Sequence, residues 1–477
     1  MLRKTTFLML FALTLSCSAF AQEAWSLQKC ISHAKQNNLN LKQADLAVKQ
    51  AELVEQGSRM ARMPNVNGRG NFGYNYGRSI DPTTNAFNNT RTGFNNIGID
   101  ASVTIYNAGS IKNTIKQSQY DLLAAKEDAN TQFQDIALLM ASSYLNILLA
   151  KEQVTIAQRA IDQTQEQLST IDKRINAGTV PKADRLDILA QIARNEQLLI
   201  QAQNSVETNY LTLKNILELE PDYDLEIIIP TSLMEVERTN ETYTLGTIYS
   251  QALNTQSSIK ATDARMKSAE LDIPIAKASM LPTLSAFGQL DTRWSSASKN
   301  VSGFTTPVFG DPQSVLINNE LSSVAFPDAD PIFVKNPYFD QLDQNFGQAF
   351  GLSARIPIYN NHQGKIGVER AKLGIISREL QNRQAKQQLK SDVQAAITGA
   401  RNAQTELAAS ERSLEAAKAA FDNAQKRYDL GAINTLELTT AKTNLDTAEL
   451  NVARAKYDYI FRLKIIDFYM GKDLNLN

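Results

Sequence analysis

The stretch Asn96-Ile97-Gly98-Ile99-Asp100-Ala101-Ser102-Val103-Thr104-Ile105-Tyr106-Asn107-Ala108-Gly109-Ser110 changes its period partway along, and that change decides the fold. Up to Ile105, Ile97, Ile99, Ala101, Val103 and Ile105 fall on one face and Asn96, Gly98, Asp100, Ser102 and Thr104 on the other, which is the spacing of a β-strand. Further on the period becomes seven: Phe133, Met140, Ile147, Val154, Ile161, Leu168 and Ile175 recur without a break, a coiled-coil seam. A strand with one wet face therefore runs into a helix that begins near Ser110. Its 66 residues to Ile175 correspond to about 100 Å of helix.

The same switch occurs again downstream. Phe350, Leu352, Ala354, Ile356 and Ile358 alternate with Gly351, Ser353, Arg355 and Pro357, and a helix begins near Gln363 with the seam Val393, Ala400, Leu407, Leu414, Phe421 and Tyr428. Val103, Tyr106 and Gly178 match Ile356, Tyr359 and Gly431 at an offset of 253, whereas Ser26 to Pro64 match Thr244 to Pro282 at an offset of 218. The difference of 35 residues is a loop insertion in the second half. A duplicated unit of this size suggests two similar staves of one wall rather than a solenoid of short repeats. The expected organisation is a signal peptide over 1–21, a first repeat over 22–219, a linker over 220–243, and a second repeat over 244–477 with an enlarged loop at 295–345.

Two further segments alternate in the same way. Val66, Phe72, Tyr74 and Tyr76 oppose Asn67, Arg69, Asn71 and Asn75, and Leu284, Leu290 and Trp294 oppose Ser285, Gln289, Asp291 and Arg293. Strands of about ten residues with an apolar and a polar face suit a membrane barrel with a wet lumen. Four strands cannot close, since the smallest membrane barrels need about eight, so the barrel is shared between chains. The hairpin loops, roughly Gly77 to Gly93 and Ser295 to Asn345, are rich in Asn, Asp, Ser, Thr and Pro. The second holds five of the 13 prolines and reads as an irregular exposed loop.

Beside the seams run small residues, among them Ser143, Ala150 and Ala157 in the first half and Ala396, Ala403 and Ala417 in the second, which let helix axes approach closely. The return helices repeat the scheme, with Leu438, Leu445, Val452 and Tyr459 beside Ala441, Ala448 and Ala455, and Ile192, Leu199, Val206 and Leu213 beside Ile188 and Ala202. On the heptads alone, a non-conducting coiled-coil structural or adhesin protein of the periplasm is the alternative. Leu225 to Ile229 has the composition of a short strand.

Arg3 and Lys4, the apolar run Phe7 to Leu15, and Ala19-Phe20-Ala21 before Gln22 make a secretory signal peptide. Cys17 offers a lipoprotein alternative, for which Thr14-Leu15-Ser16 is a poor lipobox. Cleavage after Ala21 reduces 49 basic residues to 47 against 50 acidic ones, a net charge of −3, and nothing points to nucleic acid. Cys30 would then be the one remaining cysteine, so no internal disulfide is available. No apolar stretch of 18 residues follows the signal, so a transmembrane helix is not expected, and entry into a membrane requires closed β-structure. His33 and His362 are the only histidines, and no phosphate-binding glycine loop, nucleophile elbow or Cys/His cluster is present. The sequence argues against an enzyme and requires no catalytic residues, cofactor or metal.

Duplication, strand placement and hairpins together resemble the TolC family of outer-membrane channel proteins over essentially the whole mature chain. The most specific match is the turn Tyr428-Asp429-Leu430-Gly431-Ala432-Ile433-Asn434-Thr435-Leu436-Glu437, with its first-half partner Ala177-Gly178-Thr179-Val180-Pro181-Lys182-Ala183-Asp184. The resemblance implies a mainly α fold with a β-barrel part. Three chains would build a long coiled-coil helical barrel, the periplasmic tunnel, joined to a 12-stranded outer-membrane β-barrel with four strands per chain. It implies an exit duct for a tripartite efflux pump or type I secretion system in the outer membrane of a Gram-negative bacterium, docking a periplasmic adaptor (membrane fusion) protein and an inner-membrane pump or ABC transporter.

The resemblance also implies roles at the hairpin tips. Glu437 stands where an acidic ring lines the periplasmic constriction, while Thr440 occupies the place of a second ring. Tyr428 and Asp184 match positions of a latch that holds the tips closed, with Ile433 replacing a basic residue that assists in some members. The residues themselves also allow plainer roles. Asn434 followed by Glu437 is a helix-capping pattern, Tyr428 completes the heptad seam, and Gly178 and Gly431 suit helix-ending turns with positive φ.

Overall fold

The computed structural model describes residues 24–80, 85–230 and 243–472. The expected signal peptide, Cys17, residues 231–242 of the linker and the terminal residues 473–477 lie outside the described residues. The helices are α1 (Leu27–Asn37), α2 (Leu39–Met60), α3 (Ser110–Asn176), α4 (Ala183–Leu217), α5 (Leu245–Thr255), α6 (Ser257–Glu270), α7 (Asp272–Ala278), α8 (Tyr338–Gln344), α9 (Gln363–Asp429) and α10 (Thr435–Tyr469). Compactness divides the chain into two units that each draw on both halves of the sequence. Among the described residues, one comprises 24–53, 119–230, 243–269 and 374–472, and the other 54–80, 85–118 and 270–373.

In the first unit the duplication is visible atom by atom. Ser26 caps α1 by accepting from Lys29 N at 3.2 Å, and its counterpart Thr244 caps α5 by accepting from Thr247 N at 3.4 Å, each satisfying an orphan N–H of a first turn. Both helices then break at an extended residue, Asn38 or Gln256. The buried side chain of each donates to a carbonyl near the end of a return helix, Asn38 to Ile216 O at 2.8 Å and Gln256 to Phe468 O at 3.2 Å.

The cores correspond in the same way. Cys30, Ala34 and Leu41 pack with Ile136, Met140, Tyr144 and Leu213. Their equivalents Ile248, Ala252 and Ile259 pack with Leu389, Val393, Ile397 and Ile466. Most seam residues are buried or half-buried, which removes their apolar area from water.

One window of α3 is apolar enough by length and composition to cross a membrane, contrary to the sequence expectation, and 56% of it is buried inside the chain. The run that carries Ile136, Met140, Tyr144, Ile147 and Leu148 is apolar because it is the centre of this core. Leu225 to Ile229 forms a single parallel bridge rather than a strand of its own. Ile227 bridges Trp25, with Trp25 N donating to Glu226 O at 2.7 Å and Ile228 N to Trp25 O at 3.0 Å.

The second unit holds the sheet. The strands are β1 (Asn65–Ile80), β2 (Phe87–Tyr106), β3 (Thr283–Ser295), β4 (Lys299–Phe304), β5 (Val308–Phe309), β6 (Gln313–Ile317), β7 (Glu320–Val324), β8 (Pro327–Asp328), β9 (Pro331–Lys335) and β10 (Gly347–Arg355). A four-stranded antiparallel sheet runs in the order β1-β2-β3-β10. Its centre is the pairing of β2 with β3, from Phe94 opposite Ser295 to Tyr106 opposite Leu284, which joins one hairpin from each repeat.

The foreseen alternation is realised as two faces across the paired register, but β10 ends at Arg355, leaving Ile356 and Ile358 beyond it, and β2 is bulged between Thr104 and Tyr106, where the alternation through Ile105 breaks. Arg69 and Asp100 form an ion pair at 3.1 Å on the polar face. Ile99, Phe350 and Leu352 stand exposed on the other, Phe350 at 86%. Among the described residues β1 and β10 are edges without a further partner.

Two expectations about loops are corrected. The first loop is shorter than Gly77 to Gly93, because β1 and β2 pair continuously up to Ile80 opposite Phe87. The second is not irregular. β4 pairs β9, β5 pairs β8 and β6 pairs β7 in one antiparallel succession, followed by α8. Its prolines stand at boundaries: Pro307 and Pro312 immediately precede β5 and β6, Pro327 and Pro331 open β8 and β9, and Pro337 precedes α8. Proline lacks the N–H a ladder interior needs, but it is tolerated where a strand begins.

Candidate functional site: the hairpin tips

Each long hairpin turns on a glycine that ends its ascending helix. Gly178 has φ +73° and Gly431 φ +71°. Thr179 N donates to Arg174 O at 3.0 Å and Ala432 N to Arg427 O at 2.8 Å, the six-to-one bond of a Schellman motif that satisfies terminal carbonyls. An added Cβ would meet nothing within 4 Å at either glycine. Left-handed backbone, not crowding, is what requires glycine there.

The return helices start differently. Asn434 caps α10, its Oδ1 accepting from Glu437 N at 2.9 Å, whereas Lys182 before α4 makes no side-chain cap. Glu437 therefore has the capped first-turn position foreseen, and its carboxylate is exposed where the helix N-terminus favours negative charge. It lines an open groove of about 710 Å³ with Arg427, Leu436, Thr440 and the alanines of α9.

Tyr428 and Asp184 meet through a residue the sequence reading did not single out. Thr435, 1% exposed, donates its hydroxyl to Asp184 Oδ2 at 2.7 Å and lies 3.4 Å from the Tyr428 hydroxyl. The Tyr428 ring is buried with Ile171, Ile188 and Leu438. It thus fills the seam and also points its hydroxyl at the junction of the two hairpins. Arg174 closes the cluster from the first hairpin. Its guanidinium lies 4.9 Å from the Tyr428 ring centroid, donates to Tyr428 O at 3.3 Å and binds Asp429 Oδ1 at 3.1 Å. A cation against the last carbonyls of α9 is favoured by the helix dipole.

A second polar layer lies further along the hairpin helices, away from the tips. Lys442, 3% exposed, pairs with Asp446 at 2.5 Å and with Gln163, and sits 5.6 Å from the Phe421 ring. Burial raises the pKa of Asp446, and the hydrogen bond and charge of Lys442 oppose that rise. Nearby, Asn195 donates to Thr164 Oγ1 at 3.1 Å and accepts from Gln191 Nε2 at 3.0 Å. These residues occupy seam-like positions, and their polarity within the heptads was the available signal. Among the described residues no cluster of three or more His, Cys, Asp or Glu could hold a metal.

Comparison with known proteins places this architecture. Residues 30–218 and 248–472 match the outer membrane efflux protein family. The chain is 24% identical over 200 residues to the outer membrane protein TolC of Escherichia coli K12, covering 41% of each chain. It is 21% identical over 449 residues to the TolC of Vibrio cholerae, covering 94% of this chain and 90% of that one. The chain thus aligns with only about two fifths of the E. coli relative's length. The fold of CusC superposes with a TM-score of 0.75 at 17% identity, over 96% of both chains. With the two matched segments taking in both repeats, this chain belongs to the outer membrane efflux protein family, of which TolC-like transport proteins, not enzymes, are members.

Proposed function

We propose that three copies of this chain assemble into a passive outer-membrane duct. The observation that carries the reading is the four-stranded sheet, whose apolar face stands exposed at Ile99, Phe350 and Leu352 and whose two edges have no partner among the described residues. Edge groups in hydrocarbon are satisfied only by closure, and three copies supply twelve strands, comfortably above the minimum for a membrane barrel. The two hairpins of each copy, built on 67-residue helices, then contribute to a twelve-helix periplasmic tunnel. In this reading residues 1–21 are a removed signal peptide and 22–219 and 244–477 are the two repeats, joined by 220–243.

The duct does no chemistry of its own and draws its energy from an inner-membrane pump or ABC transporter through a periplasmic adaptor. The Thr435, Asp184 and Tyr428 cluster with Arg174 holds the two tips of one copy together. Docking of the adaptor exchanges those contacts for its own and opens the periplasmic end. Three Glu437 carboxylates around the axis favour cations at the constriction. The test is the native mass and the bilayer conductance of the purified mature protein. A trimer that passes current is expected, and a monomer that passes none would defeat the proposal.

A further inference from the structure

The excursion between β3 and β10 is a built element that a simple duct does not need. Its three pairs of short strands are closed by Asn318 and Asn319, both with positive φ, 53° and 68°, the two-residue connection whose twist matches a hairpin. The foot is locked by buried amides. Asn336, 3% exposed, accepts from Asn300 Nδ2 at 3.0 Å and donates to Gln344 Oε1 at 2.9 Å. Gln341, 1% exposed, donates to Asn336 O at 2.8 Å and accepts from Ser295 N at 2.9 Å. Such a joint fixes the direction in which the ribbon leaves the sheet.

Having been aimed, the ribbon leaves large apolar side chains exposed among the described residues. Phe304, Val308, Phe309, Leu316 and Leu321 are 65%, 71%, 67%, 68% and 76% exposed. Val301 faces Phe333 and Leu316 faces Leu321 across the ladder, so the apolar residues come as cross-strand pairs. Each ribbon strand bonds only one partner among the described residues. A two-stranded ribbon is marginal by itself in water, and an open apolar edge is a template for another strand.

We propose that the ribbon Lys299–Lys335 packs against the same ribbon of its sister copies, forming an apolar cap at the hairpin end of the barrel. The proposal rests on the trimeric reading above. β10 is an edge of the sheet, so a ribbon rising between β3 and β10 stands beside the seam where the next copy's β1 must join. Among the described residues the first repeat has no equivalent, β1 and β2 pairing with each other up to Ile80 opposite Phe87, so each copy brings one ribbon. In a closed ring every ribbon then meets an identical neighbour on both sides. Lipid headgroups are the poorer occupant. Between Lys299 and Lys335 there is no Lys or Arg, while Asp311, Glu320, Asp328 and Asp330 are acidic and would repel phosphate.

The test uses the processed chain, which has lost Cys17 with residues 1–21, in outer-membrane preparations with Leu316→Cys or Phe309→Cys and a short bismaleimide. Cys30 stays silent because it is buried and its thiol is pushed up to about 12. Covalent dimers of this chain are expected, since each copy offers one reactive thiol and each linker joins two. In Leu316→Ser/Leu321→Ser chains carrying Phe309→Cys the yield should fall at least fivefold. The cap is overturned if native mass shows a trimer and a monofunctional maleimide labels Leu316→Cys fully, yet no chains are joined. Cross-links only to another protein, or protection of the thiol by lipopolysaccharide without cross-linking, overturn it equally. A monomeric native mass would instead remove the duct reading and the cap with it.

Discussion

Asp184 and Thr435, in the first turns of the two return helices, are joined by a 2.7 Å hydrogen bond from hydroxyl to carboxylate. That bond is the side-chain link at the tips in which both partners open a return helix. Replacing Thr435 with Val keeps the shape and removes the donor. Losing a buried hydrogen bond to a charged group costs about 1.5–3 kcal/mol, enough to raise the population of a separated tip by roughly tenfold or more. Single-channel recordings of Thr435→Val should show a clearly higher open probability, and an unaltered closed channel would rule out the latch role.

Glu437 is capped by Asn434 yet exposed on the groove side. Glu437→Ala should lower the cation-to-anion permeability ratio measured by reversal potential in a salt gradient, with folding intact by circular dichroism. Asn434→Ala, which removes the cap and keeps the carboxylate, should instead cost about 1 kcal/mol of helix-end stability and leave selectivity in place. An unchanged ratio in Glu437→Ala would leave capping as the whole role.

Gly431→Ala places an L side chain at φ +71°, a conformation that costs about 1–2 kcal/mol. The effect should be local. Hydrogen exchange of the amides from Tyr428 to Glu437 should accelerate roughly tenfold while those around Val393 and Ile466 stay protected. Equal acceleration in both regions would contradict the assignment of strain to the turn.

The Lys442–Asp446 pair lies almost wholly out of water. Lys442→Met strands a carboxylate and should destabilise by about 3–5 kcal/mol, whereas Lys442→Met/Asp446→Leu should recover most of that loss, because buried pairs are replaceable as units. The carboxyl of Asp446 has its pKa raised above the ordinary 3.8 by burial. The folded chain therefore holds that proton more tightly than the unfolded one. Its contribution to stability is complete below 3.8 and is lost as pH rises through the folded value. Asp446→Asn should flatten the pH dependence of the melting temperature in that window.

Much of the fold was legible because its signals are short-range. The seven-residue seam from Phe133 to Ile175 and the alternation from Ile97 to Ile105 each follow from one element's own geometry, so neighbours on the chain suffice to reveal them. The prolines between Ser295 and Asn345 misled for the complementary reason. A proline that breaks a strand and one that opens the next have the same local composition, and only the partner strand tells them apart.

By itself the sequence determined the duplication, the four half-wet strands and the two long hairpins, since periodicity is written along the covalent chain. The tertiary structure decided what the equivalent acids do. Asp184 and Glu437 occupy the same place in the two repeats, but only Asp184 meets Thr435, while Glu437 stays beside an open groove. The difference comes from residues more than two hundred positions apart brought into hydrogen-bonding range, together with Arg174 folded over Tyr428, and no local pattern encodes which of two matching carboxylates will find a partner.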